Sequence, residues 1–458
     1  MRKILLGLLC LTLSLMNAKA QNTDDAYVRS LKDVLLQIQD RYHVVIKFKD
    51  EQVAGKTVKY ADWRFRPNVD ETLEKVLTPL DMKVNKEKEG VYKLKDFEYF
   101  RWEPKDGWAE LVRLATKYQD KASFEQRKDE LKPCLLEALK LSPLPPKPNA
   151  NPIFTAIRKF DGYTVQNIAL EILPGLWING SLYRPQKVNG KIPLILSPDG
   201  HWPQQRYRED CQIRCATLAK MGAMAFSYDL FAWGESMLQF DFEDHRKSLS
   251  LAVQALDGIR ILDYFLTRND VDPVRVGISG GSGGGSHTVL MAALDNRIKL
   301  SAPVVSVSSY FYGGCPCESG LPIHLCAGGT NNVELAALAA PNPQLLISDG
   351  GDWTADMPSH DFPYLQNIYS FYGLKNKVEN VHLPSESHDF GINKRKALYD
   401  FVSRNFNLNL NAVDESKVTI ENENAMRVFG DNGEKLPANA MKGYAQLENY
   451  FKQLENGK

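Results

Sequence analysis

The stretch Val274-Arg-Val-Gly-Ile-Ser-Gly-Gly-Ser-Gly-Gly-Gly-Ser-His287 passes from an apolar strand into a glycine-rich turn and then into a helix. This order, with the pattern Gly-x-Ser-x-Gly at the turn, is typical of a nucleophile elbow, which holds a serine at a sharp corner of the chain. Small neighbours are needed because the turn brings the strand and the helix close together. The helix N-terminus also favours negative charge that develops at the serine.

Two serines fit the motif, in Gly277-Ile-Ser279-Gly-Gly281 and in Gly280-Gly-Ser282-Gly-Gly284. We choose Ser282, because the strand predicted at 274–278 then leaves a residue or two for the turn, and because glycine flanks this serine on both sides. Ser279 becomes a strand-end residue. A phosphate-binding loop is the alternative interpretation of the glycines, but no lysine follows in the register of a P-loop.

Outward from this stretch, apolar strands alternate with helical segments. Strands are predicted at 192–196, 223–228, 274–278, 300–307, 345–347 and 378–383, and helices at 210–221, 248–267, 286–294 and 363–372. The alternation predicts an α/β domain with a mainly parallel twisted sheet and helices on both faces. Together with the elbow it predicts the α/β-hydrolase fold. Ligands of such sheets bind beyond the carboxyl ends of the strands.

The order of the chain identifies a general base. In this fold the acid and then the histidine follow the serine, and five histidines come after Ser282. His388 lies in the loop Pro384-Ser-Glu-Ser-His-Asp-Phe-Gly391, just beyond the last predicted strand, where it can reach over the nucleophile. His388 is therefore predicted to take the proton of Ser282 and to return one to the leaving alcohol.

The acid of the triad is expected in the loop after the preceding strand. The segment Leu345-Leu-Ile-Ser-Asp-Gly-Gly-Asp-Trp-Thr354 offers Asp349 and Asp352, and Asp352 is preferred because it follows the Gly-Gly turn. Glu318, in the loop after the strand before, is a third candidate. The acid would orient His388 and stabilise its charged form.

An oxyanion hole needs two preset N–H donors. The amide of Gly283, directly after the nucleophile, is one. The second is expected from the loop Ser197-Pro-Asp-Gly-His-Trp202, from His201 or Trp202. For Trp202 and Trp233, core packing and sugar stacking are both open. The nearby arginines Arg206, Arg208 and Arg214 are a hypothetical contact for an acidic sugar at the rim of the pocket.

Residues 25–97 are predicted to form a small α+β domain. Helices are expected at 27–42 and 69–80, strands at 43–48 and 57–60, and a hairpin at 82–84 and 91–94 around Glu89-Gly90. This order resembles the small domain shared by secretins and the N-termini of TonB-dependent receptors. It carries no catalytic cluster, so packing, or docking of another protein, is its expected role. Residues 98–458 then form the catalytic domain, and the proline-rich passage 142–152 is either a linker or a surface segment of that domain.

The first twenty residues predict a signal peptide. Arg2 and Lys3 precede an apolar run, and Ala18-Lys-Ala20 supplies the small residues that a signal peptidase reads. The run is shorter than the ~20 residues that span a bilayer, so no membrane span is predicted. We expect an exported protein, either periplasmic or extracellular.

Composition excludes some partners and cofactors. Lys plus Arg equals Asp plus Glu, at 56 each, so nothing indicates nucleic-acid binding. Six of the seven cysteines follow the leader, and export would permit disulfides. No His or Cys pair has zinc-finger spacing, so partly buried thiols or one local disulfide are preferred. The sequence predicts no metal and no cofactor.

Six motifs together resemble those of bacterial carbohydrate esterases with the α/β-hydrolase fold, the acetylxylan esterase-like proteins. They are Gly280-Gly-Ser-Gly-Gly-Gly285, His201-Trp-Pro203, Tyr228-Asp229 with Trp233-Gly-Glu-Ser236, Cys317-Glu-Ser-Gly320, Ser348-Asp-Gly-Gly-Asp-Trp353 and Glu386-Ser-His-Asp389. The group includes the pectin methylesterases of gut Bacteroides-type bacteria, carbohydrate esterase family 19. The Gly-x-Ser-Arg elbow of glucuronoyl esterases is absent from this sequence.

The resemblance implies a serine esterase that removes ester groups from plant cell-wall oligosaccharides or polysaccharides. The methyl ester of galacturonic acid in pectin is favoured over an acetyl group on xylan, because of the extra small domain and the arginines near the site. A peptidase and a catalytically inactive glycan-binding protein are the lower-ranked alternatives.

Overall fold

The computed structural model describes residues 27–80, 82–96, 101–318 and 321–456. The chain forms two compact units, with the division between Tyr99 and Phe100, two residues beyond the predicted boundary. The predicted signal peptide lies outside the described residues. The proline-rich passage 142–152 belongs to the second unit, so it is a surface segment of that unit and not a linker between the two.

The N-terminal unit packs three helices against two small sheets. Its strands are β1 (Val28–Ser30), β2 (Val45–Lys47), β3 (Thr57–Lys59), β4 (Met82–Lys88) and β5 (Val91–Asp96), and its helices are α1 (Leu31–Tyr42), α2 (Asp50–Val53) and α3 (Val69–Leu77). β1 pairs with β3, and β5 lies between β2 and β4. The resemblance of this unit to the secretin-type domain stays a prediction.

The helix predicted from residue 27 begins later than expected. Ser30 has an extended backbone, and its side chain accepts a hydrogen bond from the Asp33 amide, so it caps α1. The residues before it form β1 instead. The predicted hairpin is present, with β4 antiparallel to β5 and Gly90 at a φ of 71° in the turn.

The second unit is built on one ten-stranded sheet. Its strands are β6 (Ile153–Phe154), β7 (Arg158–Lys159), β8 (Tyr163–Leu173), β9 (Leu176–Pro185), β10 (Ile192–Pro198), β11 (Met224–Tyr228), β12 (Val271–Gly281), β13 (Leu300–Val304), β14 (Gln344–Asp349) and β15 (Val378–Leu383). The order is β15-β14-β13-β12-β10-β11-β9-β8-β6, with β7 also on β8. The six strands from β15 to β11 are mutually parallel, and the strands beyond β11 are antiparallel.

Helices cover both faces of this sheet. They are α4 (Pro104–Ala115), α5 (Lys121–Ala138), α6 (Glu209–Met221), α7 (Ser250–Phe265), α8 (Gly283–Leu294), α9 (Leu321–His324), α10 (Asn332–Ala337), α11 (Phe362–Phe371), α12 (Ile392–Phe406), α13 (Glu423–Met426) and α14 (Tyr444–Asn456). The core beneath α6 and α12 is one cluster of buried apolar residues, and the core beneath α7 and α8 is another.

Central strand β10 shows why both faces are apolar. Leu194 and Leu196 belong to one core cluster and Ile195 to the other, because successive side chains of a strand point to opposite faces. A parallel strand that is buried on both faces therefore has a continuous apolar sequence. The predicted α/β-hydrolase architecture is present. Among the residues that the structure describes, no helix is long and apolar enough to cross a membrane.

Candidate active site

Ser282 lies at the corner between β12 and α8. β12 continues to Gly281 and α8 begins at Gly283, so no separate turn residues stand between them, contrary to the prediction. Ser282 has a φ of 54° and a ψ of −123°, a conformation that costs a non-glycine residue roughly 1–3 kcal/mol. Its amide donates to the Val304 carbonyl at 3.0 Å, which ties the corner to β13.

The flanking glycines are required by close backbone contacts. A Cβ added at Gly280 would lie 2.5 Å from the Pro198 carbonyl oxygen, and one at Gly284 would lie 2.4 Å from the same atom. Real Cβ atoms essentially never come so close to a backbone oxygen. The corner can therefore form only with glycine two residues before and two residues after Ser282.

The other serine of the motif has a different environment. Ser279 lies within β12 and is fully buried. Its hydroxyl donates to the Ala302 carbonyl oxygen at 2.8 Å, so it is occupied within the sheet. Of the two serines, Ser282 alone stands at the strand-to-helix corner.

Ser282, His388 and Asp352 form a chain of hydrogen bonds. The Ser282 Oγ lies 2.9 Å from His388 Nε2, and His388 Nδ1 lies 2.6 Å from Asp352 Oδ2. The carboxylate can only accept, so Nδ1 carries the proton and Nε2 presents a lone pair to the serine hydroxyl. This is the arrangement in which a histidine can act as base toward a serine.

The surroundings of Asp352 keep it ionised. Burial raises the pKa of this carboxyl, but hydrogen bonds from the His388 ring and from the hydroxyl and amide of Thr354 outweigh burial and leave the pKa below its ordinary value. Thr354 contributes both bonds at 2.6 Å. The charged Asp352 is thus available to stabilise an imidazolium at His388.

The other two candidate acids have other partners. Asp349 forms a fully buried ion pair with Lys394 at 2.9 Å. Lys394 also contacts the Ser387 carbonyl and the Asp389 carboxylate, on either side of His388, so Asp349 anchors the histidine loop. Glu318 accepts a hydrogen bond from His201 Nδ1 at 2.8 Å. Only Asp352 of the three touches His388.

The predicted oxyanion donors lie beside the serine. Gly283 is the first residue of α8, and amides in the first turn of a helix have no partner within the helix. The His201 ring lies against Gly283, since a Cβ there would come within 2.8 Å of the imidazole. The roles of Gly283 and of the His201 or Trp202 amide stay predictions.

The hypothesis that Arg206, Arg208 and Arg214 lie at the rim of the pocket is wrong. Arg206 is fully buried and pairs with Asp229 at 2.8 Å and Glu235 at 3.2 Å. Arg208 pairs with Asp199 and Asp210, and the buried Arg214 lies over the Phe390 ring. These arginines hold loops in place beneath the surface, because a buried guanidinium needs carboxylates or a ring as partners.

A cavity of about 380 Å³ opens above Ser282. Its described lining combines aromatic, basic and polar residues: His201, Trp233, Phe242, His245, Arg246, Ser282, Phe311, Gly314, Cys315, Glu318 and Trp353. Trp353 also packs on His388, with ring centroids 4.6 Å apart. Among the charged residues of this lining, Arg246 supplies a guanidinium. Sequence reasoning missed Arg246 because nothing in the pattern of 242–246 indicates that this segment reaches the site.

Disulfides join four of the cysteines. Cys134 of α5 is bonded to Cys326, and Cys315 is bonded to Cys317, whereas Cys211 and Cys215 are buried free thiols in α6. The expectation of thiols or one local disulfide missed the pair that spans 192 residues. Only the folded chain brings those two cysteines together.

No model of a known protein family matches the chain. The structure of Methylesterase BT1017 is 51% identical over 95% of this chain and all of that chain, with a TM-score of 0.81. YtaP, a Bacillus subtilis (strain 168) protein whose name describes it as a hydrolase, is 31% identical over 194 residues. That match covers 36% of this chain and 62% of YtaP, so the chain spans less than two thirds of this curated relative.

Two further solved structures are more distant. An acetyl xylan esterase from Paenibacillus sp. R4 is 17% identical, with a TM-score of 0.43 over 65% of this chain and 98% of that one. A glucuronoyl esterase from Solibacter usitatus is 16% identical, with a TM-score of 0.46 over 62% and 93%. At TM-scores below 0.5 neither likeness supports a statement about this chain.

Proposed function

Since the chain belongs to the carbohydrate esterase family that includes Methylesterase BT1017, we propose that it hydrolyses methyl esters of galacturonic acid in pectin. The observation that carries this proposal is the hydrogen-bonded chain Ser282–His388–Asp352 at the floor of an aromatic cavity. The identity of 51% with a protein named a methylesterase favours a methyl ester over an acetyl ester.

The proposed reaction proceeds through an acyl-enzyme. Ser282 Oγ attacks the C6 carbonyl of the galacturonate ester while His388 Nε2 takes the hydroxyl proton. The tetrahedral oxyanion accepts from the Gly283 amide. When the carbonyl re-forms, the C–O bond to the methoxy group breaks, and His388 gives its proton to the departing oxygen, which leaves as methanol.

Water then completes the cycle. His388 takes a proton from a water molecule, the hydroxide attacks the galacturonoyl–Ser282 ester, and the proton returns to Ser282 Oγ as the acid is released. Asp352 stabilises the imidazolium in both half-reactions. Overall, one methyl ester and one water are consumed, and one methanol and one galacturonate carboxyl group are formed.

The cavity has features that suit a uronic acid polymer. Trp233, Phe242, Phe311 and Trp353 supply flat apolar faces of the kind that pack against sugar rings. Arg246 contributes a guanidinium whose side chain is 61% exposed and pairs with Glu243 only at 3.8 Å. This arginine is available for a neighbouring, already demethylated carboxylate, a role that the buried Arg206 cannot fill.

The proposal includes action outside the cytoplasm. The predicted leader at residues 1–20 supports export, and the Cys134–Cys326 disulfide is of a kind that persists in oxidising compartments. Fractionation of a producing bacterium should find the protein in the periplasmic or extracellular fraction, without residues 1–20. Retention of an uncleaved chain in the cytoplasm would remove this part of the proposal.

The test compares two products. Purified protein is incubated with highly methylated pectin and, in parallel, with acetylated xylan, while methanol and acetate are measured, with Ser282→Ala as the blank. We expect methanol release at least tenfold faster than acetate release per mole of available ester. Acetate release alone would replace the proposal by an O-acetyl esterase. No release of either product, with a fluorophosphonate-reactive Ser282, would point to another ester.

A further inference from the structure

Four metal-binding side chains converge beside Ser282 without taking part in the proposed triad. The donor atoms of His201, His245, Cys315 and Cys317 all lie within 4.8 Å of one another. We call these four residues the His–Cys cluster. His201 and His245 are separated by an entire helix and strand, and the cysteines come from a third segment, so only the fold assembles the cluster.

His201 is oriented with its Nε2 atom toward the sulfurs, and a ring nitrogen of His245 lies within 4.8 Å of the other donor atoms. His201 Nδ1 donates to the Glu318 carboxylate at 2.8 Å, and its Nε2 lies 3.1 Å from Cys317 Sγ and 3.8 Å from Cys315 Sγ. His245 Nδ1 donates to the Phe242 carbonyl oxygen. With a proton on Nδ1, a neutral imidazole presents a lone pair at Nε2.

The hydrogen bonds that the two histidines donate from Nδ1 are of the kind that metal-binding histidines make. Such a histidine almost always donates its other N–H to a carboxylate or a backbone carbonyl, which fixes the tautomer and the ring orientation. Glu318 and the Phe242 carbonyl supply one acceptor of each kind. A disulfide sulfur has no proton to give, so the Nε2 lone pair of His201 faces an atom that offers it no hydrogen bond.

The donor set matches zinc. Two thiolates and two neutral imidazoles are a Cys₂His₂ ligand set, with bonds of about 2.3 Å to sulfur and 2.0–2.1 Å to nitrogen in a tetrahedron. Those bonds place the sulfur and nitrogen donors about 3.6 Å apart, a value that lies between the two His201–sulfur distances of 3.1 and 3.8 Å. Soft thiolates with imidazoles favour zinc over magnesium or calcium.

We propose that the His–Cys cluster binds one zinc ion when Cys315 and Cys317 are reduced. The two sulfurs are bonded to each other in this structure, and zinc binding is the alternative state of the same pair. Binding breaks no covalent bond except two S–H bonds. Zn²⁺ joins two thiolates and two imidazoles, and two protons leave to solvent. No oxidant or reductant is involved if zinc occupies the thiols before they are oxidised.

The proposed zinc is structural. Four protein ligands fill the tetrahedron, whereas catalytic zinc keeps a position open. The ion would join three segments that line the substrate cavity: the loop after β10 that carries His201, the segment 242–246 and the loop around Cys315. His201 and Cys317 are already held, the latter through its carbonyl oxygen by Gln254 Nε2 at 2.5 Å. The zinc would thus fix the wall of the cavity next to the oxyanion site.

Metal content and thiol count test the proposal together. The mature chain, residues 21–458 after removal of the predicted leader with its Cys10, is produced in zinc-supplemented medium, purified without chelator and analysed by inductively coupled plasma mass spectrometry. Thiols are then counted in denaturant with chelator. We expect about one zinc per chain and four thiols, from Cys211, Cys215, Cys315 and Cys317. Four thiols without zinc would overturn the proposal, because the reduced pair would then be metal-free. If two thiols identify the Cys315–Cys317 disulfide, the protein is reduced under argon, given one equivalent of zinc and analysed again, and failure to retain zinc would likewise overturn the proposal.

Variants separate this proposal from the esterase proposal. His245→Ala and the double change Cys315→Ser with Cys317→Ser should lose the zinc. Cys211→Ser, a buried cysteine outside the cluster, should keep it and lose one thiol. Ser282→Ala should also keep one zinc although it is inactive, so the metal result does not depend on the esterase. Retention of zinc by His245→Ala and by the double variant would place the metal elsewhere.

A change at Glu318 tests the hydrogen bond that His201 Nδ1 donates to this carboxylate. Glu318→Ala removes the acceptor for His201 Nδ1 and should weaken zinc binding about 10–100-fold in competition with a chelator. Glu318→Gln keeps an acceptor oxygen and should restore most of the affinity. Equal affinity in all three proteins would show that the hydrogen bond from His201 Nδ1 to Glu318 does not support zinc binding, against the argument made from it.

Discussion

His388 Nε2 lies 2.9 Å from the Oγ of Ser282, although 106 residues separate the two in the chain. The contact forms because β12 and β15 lie in the parallel part of one sheet with β13 and β14 between them. All four strands end at the same edge, so the loops that follow them meet there. Asp352 enters from the loop after β14, the strand next to β15.

The serine that acts should be identifiable by two alanine variants. Ser282→Ala should lower kcat for p-nitrophenyl acetate roughly 10⁴-fold or more, because loss of the nucleophile removes the acyl-enzyme route. Ser279→Ala should keep kcat within about tenfold, since it removes only a hydrogen bond to Ala302 inside the sheet. Near-ultraviolet circular dichroism controls for folding. The reverse ranking of the two variants would move the nucleophile to Ser279.

The acid should be identifiable by asparagine variants. Asp352→Asn should lower kcat about 10⁴-fold with little change in KM, because the amide no longer stabilises the His388 imidazolium. Asp349→Asn breaks the buried pair with Lys394 and should act mainly on stability, at about 3–5 kcal/mol, with a much smaller effect on kcat. Steady-state kinetics and urea unfolding measure the two effects. A kcat loss as large in Asp349→Asn would assign the acid to Asp349.

The long-range disulfide should contribute to stability and not to catalysis. Replacing Cys134 and Cys326 by serine frees a loop of almost half the chain and should lower the free energy of unfolding by about 2–5 kcal/mol. Activity at 25 °C should persist, because neither cysteine lies among the described residues that line the cavity. Urea unfolding under non-reducing conditions measures the effect. An unchanged midpoint would show that the bond does not constrain the unfolded chain.

Asp361 should make stability depend on pH. It is almost completely buried, and burial raises the pKa of its carboxyl to about 7. Between pH 4 and 7 the folded protein therefore keeps a proton that the unfolded chain loses, so the free energy of unfolding falls as pH rises through this window. Asp361→Asn lacks the ionisable group, and its stability relative to wild type should increase from pH 5 to pH 7 by roughly 2–3 kcal/mol.

Urea unfolding of wild type and of Asp361→Asn at pH 5, 6 and 7 measures how the difference in their free energies of unfolding depends on pH. The Ser309 amide, which donates to Asp361 at 3.3 Å, keeps an acceptor in the asparagine variant. A constant difference between the two proteins over this range would show that Asp361 titrates at its ordinary value.

The sequence predicts the parallel half of the sheet well, because strands buried on both faces are continuous apolar runs. It does not predict β8 and β9, which interleave polar residues such as Asn167 and Asn179. Both asparagines are fully buried and hydrogen bond within the fold, Asn179 to Asp229 and Asn167 to the Ser181 hydroxyl. A pattern based on hydrophobicity gives no signal for buried polar networks of this kind.

The end of β12 shows a second limit. The prediction ends the strand at Ile278, because the elbow is expected to need a residue or two of turn before the serine. The structure continues it to Gly281, since Gly280 and Gly281 pair with Pro303 and Val304 of β13. Tertiary pairing thus extends the strand through the expected turn to the point where the nucleophile is held.

The candidate triad was accessible from sequence because chain order in this fold is fixed. Ser282 follows β12, Asp352 follows β14 and His388 follows β15, in the order nucleophile, acid, base. His245, Arg246 and the partners of Cys315 and Cys317 were not accessible. Their segments meet only after folding, and their spacing matches no motif.

The backbone of Ser282 ties enzymatic competence to completed folding. A serine in an unfolded chain leaves the φ of 54° almost at once, because nothing but the adjoining strand and helix offsets the cost of that conformation. A nascent or damaged chain therefore carries the same hydroxyl group without its reactivity. Hydrolysis should therefore recover after dilution from urea only once the β12–α8 corner has closed. The return of activity then reports the completion of folding at this corner.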